Sequence, residues 1–461
     1  MGSRSTQASS LRRAVPLAAA LLAVAAAPGV RAAGFELLHQ DEALLGTAFA
    51  GTAAVADNGS TAFYNPAGLP LVGLSRRPGE GNRDASGWRF AAGAAVIFPT
   101  NRFSNTGTIA APGAPLGSEG GNTGSASPLP VFNVAYHARD DWGVGFAVGV
   151  PYGLKSEYSA DWMGRYIAVK SELLTWQANL AAGFKVAEHW WLGAGVSYLS
   201  ADSTLTNAVN WGPFGDGLAT VETSDSAWGY NLGVMWQPAP ATRLGLAYRS
   251  GYKLQLTGSI DTTFPGSPAQ LAALGPIAQA AFAATNGGAV ASGLNLPASA
   301  TLSLKQAVTD KWDLLVDVAR VRWSSFERFE IARDNGLVLT AAPQNWEDTW
   351  RIALGTAYRV NDAVTVTAGV AYDQTPVQGQ YRNPIVPDND WRWFALGTQI
   401  ALNRSTRLDL SYAYISVKKA GIDASRYDAA GNPDPSSGTL VGNYNTYSHT
   451  IGVQVVWTLD R

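Results

Sequence analysis

The chain has no cysteine, and that absence removes disulfide scaffolds, thiolate metal sites and cysteine nucleophiles together. Histidine is almost as scarce. The four residues His39, His137, His189 and His449 are too scattered to build a His-rich metal site. Charge is thin: Lys and Arg number 33 and Asp and Glu 35 in 461 residues, 15% in all, against roughly 25% in an ordinary soluble domain. A net charge of −2 supplies no basic surface for nucleic acid and none of the self-repulsion of a disordered chain. Hydrophobic residues reach only 46%, so the missing charge has not gone into a larger apolar core. GxSxG, HExxH and a phosphate-cradling Gly-Lys-Ser/Thr are all missing. Neither catalysis nor a cofactor is expected.

What the chain has in quantity is glycine and aromatics: 49 Gly, 17 Tyr, 16 Trp and 15 Phe. At the N-terminus, Arg4, Arg12 and Arg13 precede an apolar run over 14–27 that Pro28-Gly29 ends. Val30-Arg31-Ala32 then offers small residues at signal-peptidase spacing, so residues 1–32 are expected to be a secretory signal peptide. A membrane anchor needs about 20 apolar residues. This run is shorter and holds Pro16, and no other segment approaches that length.

From Trp88 onward the dominant period is two, the mark of strands with two different faces. Val364, Val366, Ala368, Val370 and Tyr372 alternate with Thr365, Thr367, Gly369, Ala371 and Asp373. Leu408, Leu410, Tyr412 and Tyr414 alternate with Arg407, Asp409, Ser411 and Ala413. A second face so small and polar suits a lumen better than a sandwich core. Fourteen strands are read at 88–101, 129–138, 142–150, 167–186, 190–203, 221–237, 241–260, 296–308, 311–331, 346–360, 363–375, 391–402, 406–420 and 444–458. Short turns near 139–141, 187–189, 238–240, 309–310, 361–362 and 403–405 alternate with long Gly/Pro/Asn-rich loops around 102–127, 151–166, 204–220, 261–294, 333–345, 376–390 and 421–443. That rhythm belongs to outer-membrane barrels, because a sheet in hydrocarbon must close to pair its backbone. The expected fold is an all-β, 14-stranded antiparallel transmembrane barrel over 88–461. Tyr248, Tyr358, Trp391, Trp393 and Trp457 are expected in its interfacial girdles.

Three irregularities stand out. Residues 33–87 carry small-residue runs and Tyr64-Asn65-Pro66-Ala67-Gly68 in place of long alternation. They are expected to fold into the lumen as a hatch, the alternative being a periplasmic extension. The third strand holds Gly143, Gly145 and Gly149, with Pro151 after it. Glycine there marks a bulge or the close approach of another backbone, and proline cannot donate to the ladder; plain glycine content is the competing reading. In the longest loop Ser267-Pro268 reads as a helix start. Leu271, Leu274, Ile277 and Phe282 follow at helical spacing until Asn286-Gly287-Gly288. A helix over about 268–285 is expected, either to capture a greasy ligand or simply to lid the barrel.

Collinear segments carry a resemblance. Ala33-Gly34-Phe35, the small-residue run, Asn65-Pro66-Ala67, Pro151-Tyr152-Gly153-Leu154, Asp161-Trp162, Gly164-Arg165-Tyr166 and Trp323-Ser324-Ser325-Phe326 are among them. The strongest are Trp350-Arg351-Ile352-Ala353-Leu354-Gly355-Thr356, 371–377 and Pro387-Asp388-Asn389-Asp390. Together they resemble the FadL/TodX family of outer-membrane hydrophobic-compound transporters. The resemblance implies a barrel with an N-terminal hatch and uptake of long-chain fatty acids or aromatic hydrocarbons. Capture at outward loops, an internal pocket and lateral exit beside a kinked third strand are implied as well. Gly34 and Phe35 would line the pocket, and Asn65, Pro66 and Ala67 would sit at the gap near Gly145, Gly149 and Pro151. Basic residues expected near a ligand carboxylate are replaced by Ala342 and Asp202, while Asp373 is kept; Arg165, Lys170, Arg351 or Arg382 are the substitutes at hand. The chain also ends Trp457-Thr458-Leu459-Asp460-Arg461, where such barrels finish on an aromatic.

The expected setting is the bacterial outer membrane, with lipid and lipopolysaccharide around a monomer and the barrel-assembly machinery acting during biogenesis. A general diffusion porin or a structural or adhesive barrel is the alternative function.

Overall fold

The computed structural model describes residues 34–73 and 86–460; the expected signal peptide lies outside them. Fourteen antiparallel strands form one closed sheet. In chain order they are β1 (Gly87–Asn105), β2 (Ser127–Ala138), β3 (Trp142–Gly149, then Gly153–Glu157), β4 (Lys170–Ala187), β5 (Trp190–Asn210), β6 (Asp216–Ala239) and β7 (Thr242–Arg249, then Tyr252–Thr262). There follow β8 (Ala289–Leu296, then Ser299–Ala307), β9 (Trp312–Val321, then Arg328–Arg333), β10 (Val338–Pro343, then Thr349–Arg359), β11 (Val364–Asp373), β12 (Trp391–Ala401), β13 (Thr406–Val417, then Ala420–Ala424) and β14 (Leu440–Asp460). β1 closes the cylinder on β14, in register from Gly87↔Asp460 to Asn105↔Gly442. Among the described residues no helix is long and apolar enough to cross a membrane. The strands do the crossing.

The two faces separate as the alternation requires. Val366, Val370, Leu354, Leu410, Ile451 and Val453 are exposed on the outside, and Thr367, Ala371, Asp409, Thr450 and Gln454 are buried inside. A lower aromatic girdle runs through Trp88, Tyr136, Trp142, Trp190, Trp236, Trp312, Tyr358 and Trp457, all on the outer surface at the short-turn end. Trp190 stacks on Trp236 with centroids 5.2 Å apart. Tyr198, Trp228, Tyr230 and Tyr248 form part of an upper girdle. From Trp190 to Tyr198 is roughly 26 Å along the strand at ~3.3 Å per residue, or about 20 Å of height at the ~40° tilt of strands in such barrels. Trp391 and Trp393 are not girdle residues. They share one parity of β12 and point inward, Trp393 into the core, while Phe394 and Leu396 of the other parity face lipid.

The strands run further outward than alternation alone indicates. β5 and β6 have 21 and 24 residues, where a span needs about 9–11. The expected loop over 204–220 is therefore only residues 211–215. Beyond the membrane the outer face meets water while the inner face still packs, as Val221, Ile260, Val290 and Ile331 do. At Asp202-Ser203-Thr204 the residues of both faces are polar, so the hydrophobic alternation that marks a strand is lost. Likewise the expected loop 333–345 is largely a hairpin between the outer pieces of β9 and β10. The helix over 268–285 is two helices, α3 (Pro268–Ala273) and α4 (Pro276–Thr285). Ser267 and Gln270 form a full capping box at the start. Gly275, at φ +86°, ends the first helix, and Pro276 starts the second.

Residues 34–73 lie inside the cylinder, with α1 (Glu42–Leu45), α2 (Thr61–Tyr64) and a 3₁₀ helix over Pro66–Leu71. Asp41 caps α1 and also accepts from Asn58 at 2.8 Å, Ser60 at 2.7 Å and Gln454 of β14 at 2.9 Å. Asp317 of β9 accepts from the backbone of Gly51 at 2.8 Å and from Thr52. Arg407 of β13 bridges Asp57 and Asp409. Leu45, Phe49, Ala62 and Leu69 form an apolar core with wall residues such as Leu315, Ala353 and Ala413. Inward glycines make room for it. A Cβ at Gly193 or Gly183 would meet the backbone of Pro66 and Ala67 or Pro66 alone, and one at Gly369 the backbone of Thr47.

Candidate functional site

Above the hatch core the lumen holds an aromatic and aliphatic cluster. Phe35 is its centre, 4.9 Å from Trp323, 5.6 Å from Trp346, 6.3 Å from Phe326 and 6.4 Å from Tyr152 by ring centroids. Leu199, Leu254, Leu256, Leu294, Leu296 and Val377 complete the surround. Gly34 precedes it at φ +104°, with Trp323 and Trp346 where a Cβ would stand, so no other residue fits there without a shift. Its N–H donates to Asp388 at 3.1 Å. Asp388 is buried in the loop before β12 and also accepts from Thr375 and Trp391, both at 2.6 Å. Burial pushes its carboxyl up to about 6 against those hydrogen bonds.

Next to this cluster lies a cavity lined by Glu36, Arg249, Asp317, Arg351, Asp373 and Trp391, among others. Arg351 donates to the Ala48 carbonyl at 2.5 Å, and its Nε stands 3.6 Å from Asp373. Arg249 donates to the Phe63 carbonyl and to Gln177, both at 3.0 Å, and lies 3.4 Å over the Phe63 ring. Burial pushes the Glu36 carboxyl above its ordinary range, opposed by Arg249 and Arg351.

The wall beside Phe35 is interrupted. The ladder between β2 and β3 runs from Ala138↔Trp142 to Phe132↔Val148. Beyond it Gly153–Glu157 pairs with β4, and among the described residues no ladder joins it to Ser127–Val131 of β2. The hatch start fills the place. Leu37 N–H donates to Pro151 O at 2.8 Å, Gly153 N–H to Phe35 O at 3.0 Å, and Gln40 Nε2 to Val150 O at 3.0 Å. Leu37 packs with Ala95, Leu129 and Val150 across the interruption.

The expected site residues fall in several places. Gly34, Phe35, Arg351 and Asp373 converge on the cluster and cavity. Gly145 and Gly149 face the lumen, where a Cβ would meet Leu69 and Gln40, and Pro151 stands in the break itself. Close approach of the hatch, not a bulge, accounts for these glycines. Asn65, Pro66 and Ala67 are not at the break. Asn65 donates to Ala53 O at 2.7 Å and Val234 O at 3.2 Å and caps the 3₁₀ helix, which holds the segment against β4, β5 and β6. Arg165 is also elsewhere, joining outer loops through Asp216 at 2.7 Å and Pro115 O at 3.0 Å. Lys170 pairs with Glu172, and Arg382 donates to the carbonyls of Asp388 and Gly421. Leu271 stands on α3, Leu274 caps its end, and Ile277 and Phe282 stand on α4, all outside the lumen, with Ile277 86% exposed and Phe282 against Trp211. Arg249 and Glu36 were not foreseen. An arginine at an inward-facing position of a strand that crosses the membrane is itself the signal that would have found the first.

Known proteins share this architecture. A Pseudomonas aeruginosa FadL homologue of known structure superposes with a TM-score of 0.79 at 23% identity, covering 92% of this chain and 99% of that one. The Pseudomonas putida toluene transporter TodX gives 0.61 at 16%, covering 92% and 99%. In sequence, the long-chain fatty acid transport protein of Salmonella typhi is 26% identical over 415 residues, 86% of this chain and 90% of that protein. Outer membrane protein P1 of Haemophilus influenzae is 26% identical over 465 residues, 92% and 94% of the two. Residues 23–458 match the family model of the outer membrane protein transport proteins, and the chain therefore belongs to that OMPP1/FadL/TodX family of the outer membrane.

Proposed function

We propose that this barrel carries hydrophobic small molecules, long-chain fatty acids or aromatic hydrocarbons, inward by passive, ligand-gated transport. Ligand is captured at the outer loops around α3 and α4. It moves to the cluster about Phe35 and leaves sideways between β2 and β3 when residues 35–40 withdraw. The reading is supported above all by the interruption of the β2–β3 ladder beside the aromatic cluster. In hydrocarbon an unpaired strand edge is unfavourable, and here it is covered by the start of the hatch, which makes one β-bridge between Glu36 and Tyr152 and is seated next to the cavity. Burial of a greasy ligand contributes about 0.8 kcal/mol per CH₂, and sideways release delivers it to lipid instead of back to water. No energy source is required.

The chain lacks cysteine, which makes a direct test available. Leu129→Cys with Val150→Cys, residues packed in one cluster across the interruption, should form a disulfide that bolts the exit. Uptake of labelled fatty acid or toluene by vesicles holding the oxidised variant is expected to fall to background and to return on reduction. Unchanged uptake with the bond formed would refute lateral exit. Exclusion of small sugars in liposome swelling separates this transporter from a diffusion porin.

A further inference from the structure

We infer that the luminal cavity selects uncharged, hydroxyl-bearing hydrophobic molecules over molecules with an ionised carboxylate. The inference rests on the transport reading and moves its substrate class away from ionised fatty acids toward neutral hydrophobic molecules that carry a hydroxyl. Three carboxylates, Glu36, Asp317 and Asp373, line the cavity against two guanidiniums, Arg249 and Arg351. Both cations already have partners, although the buried Nε of Arg351 makes no hydrogen bond. Arg249 is held by the Phe63 carbonyl, Gln177 and the Phe63 ring, and Arg351 by the Ala48 carbonyl and Asp373, with Trp393 beside it. Asp373 faces the Arg351 Nε at 3.6 Å, so an entering carboxylate that reached this nitrogen would stand against Asp373, with Glu36 and Asp317 lining the same cavity.

The acceptors are less fully used. Asp317 is occupied by Gly51 and Thr52. Glu36 accepts no hydrogen bond from any described side chain or backbone group, although it borders the cavity, and Asp373 meets Arg351 only at 3.6 Å. A hydroxyl can donate to either without bringing a charge. Its hydrocarbon part has the Phe35 cluster adjoining. Specificity here is a difference of two affinities, and the acids act as the repulsive element against anions.

The experiment compares radiolabelled dodecan-1-ol with dodecanoate at pH 9, where the acid is ionised, binding to the full barrel in non-ionic micelles after subtraction of empty micelles. The alcohol is expected to bind about tenfold tighter, a difference of about 1.4 kcal/mol. Glu36→Gln and, separately, Asp373→Asn are expected to narrow the ratio by strengthening dodecanoate. Dodecanoate binding as tightly as the alcohol overturns the inference and leaves transport standing. A ratio unchanged in both variants overturns it too, since the acids would not be its cause. Saturable binding of neither probe overturns the inference together with the transport reading.

Discussion

Asp388 ties the start of the hatch to the outer wall, because one carboxyl takes hydrogen bonds from Gly34, Thr375 and Trp391. Folding raises it from an ordinary 3.8 to about 6. The native state therefore takes up a proton across that interval. The stabilising contribution is complete below about pH 3.8 and is lost as pH rises through about 6. Asp388→Asn, which resembles the protonated form, should flatten the pH dependence of thermal unfolding between pH 4 and 6. At pH 8 the variant gains up to about 3 kcal/mol from the removed charge, offset by about 1–3 kcal/mol where its NH2 faces the Gly34 or Trp391 donor. A variant melting with the parent's pH dependence would show that another group titrates there. Asn65 illustrates the opposite case, a neutral residue doing several jobs. Asn65→Ala removes a helix cap and donors to Ala53 and Val234, a loss of about 1–3 kcal/mol for the buried groups left unmet. Sugar leakage through the hatch should rise while the barrel keeps its folded mobility in unheated SDS gels.

At the scale of elements, the sequence was most legible where hydrocarbon enforces two faces. In Val364 to Asp373 and Leu408 to Tyr414 the alternation alone tells lipid side from lumen side, because one face must be greasy and the other cannot be. Legibility failed where that solvent contrast ends. The outer parts of β5, β6, β9 and β10 stand beyond the membrane, and Trp391 with Trp393 turn inward at a strand end where an aromatic is equally at home in a girdle. The site was half readable. Gly34 and Phe35 came from resemblance, whereas Arg249 makes its contacts with Phe63 and Gln177, partners 186 and 72 residues away that no local pattern reveals. The inward glycines were seen in the sequence, but their reason needed the hatch. Gly193→Leu should keep the hatch from seating, because a side chain there meets Pro66 and Ala67. Ala194→Leu adds the same bulk toward lipid. Sugar permeation is expected to increase severalfold in the first variant and to stay at the parent's level in the second; equal leakage would mean that the room left by Gly193 has no part in sealing.

For the whole molecule the question is whether the cylinder or its filling holds the other up. The ladder from β1 to β14 closes without any hatch residue, so the backbone groups of the wall stay paired if the hatch is absent, apart from the interruption at β3. Much of the inner face is polar where the hatch meets it, with Asp317, Arg407, Asp409 and Gln454 able to exchange hatch partners for water. The apolar contacts of Leu45, Phe49 and Leu69 are the loss on the other side, and they fall chiefly on the hatch, which has no lipid to shelter in. Deletion of residues 41–72 should therefore leave a folded barrel that shifts mobility on heating in SDS, yet swells readily in liposomes with small sugars. Its uptake of hydrophobic ligand should no longer saturate, since Phe35 and Glu36 would have lost their seat. A deletion protein that fails to assemble, recovered only as the unfolded band, would make the hatch a scaffold on which the wall closes and not a gate within it.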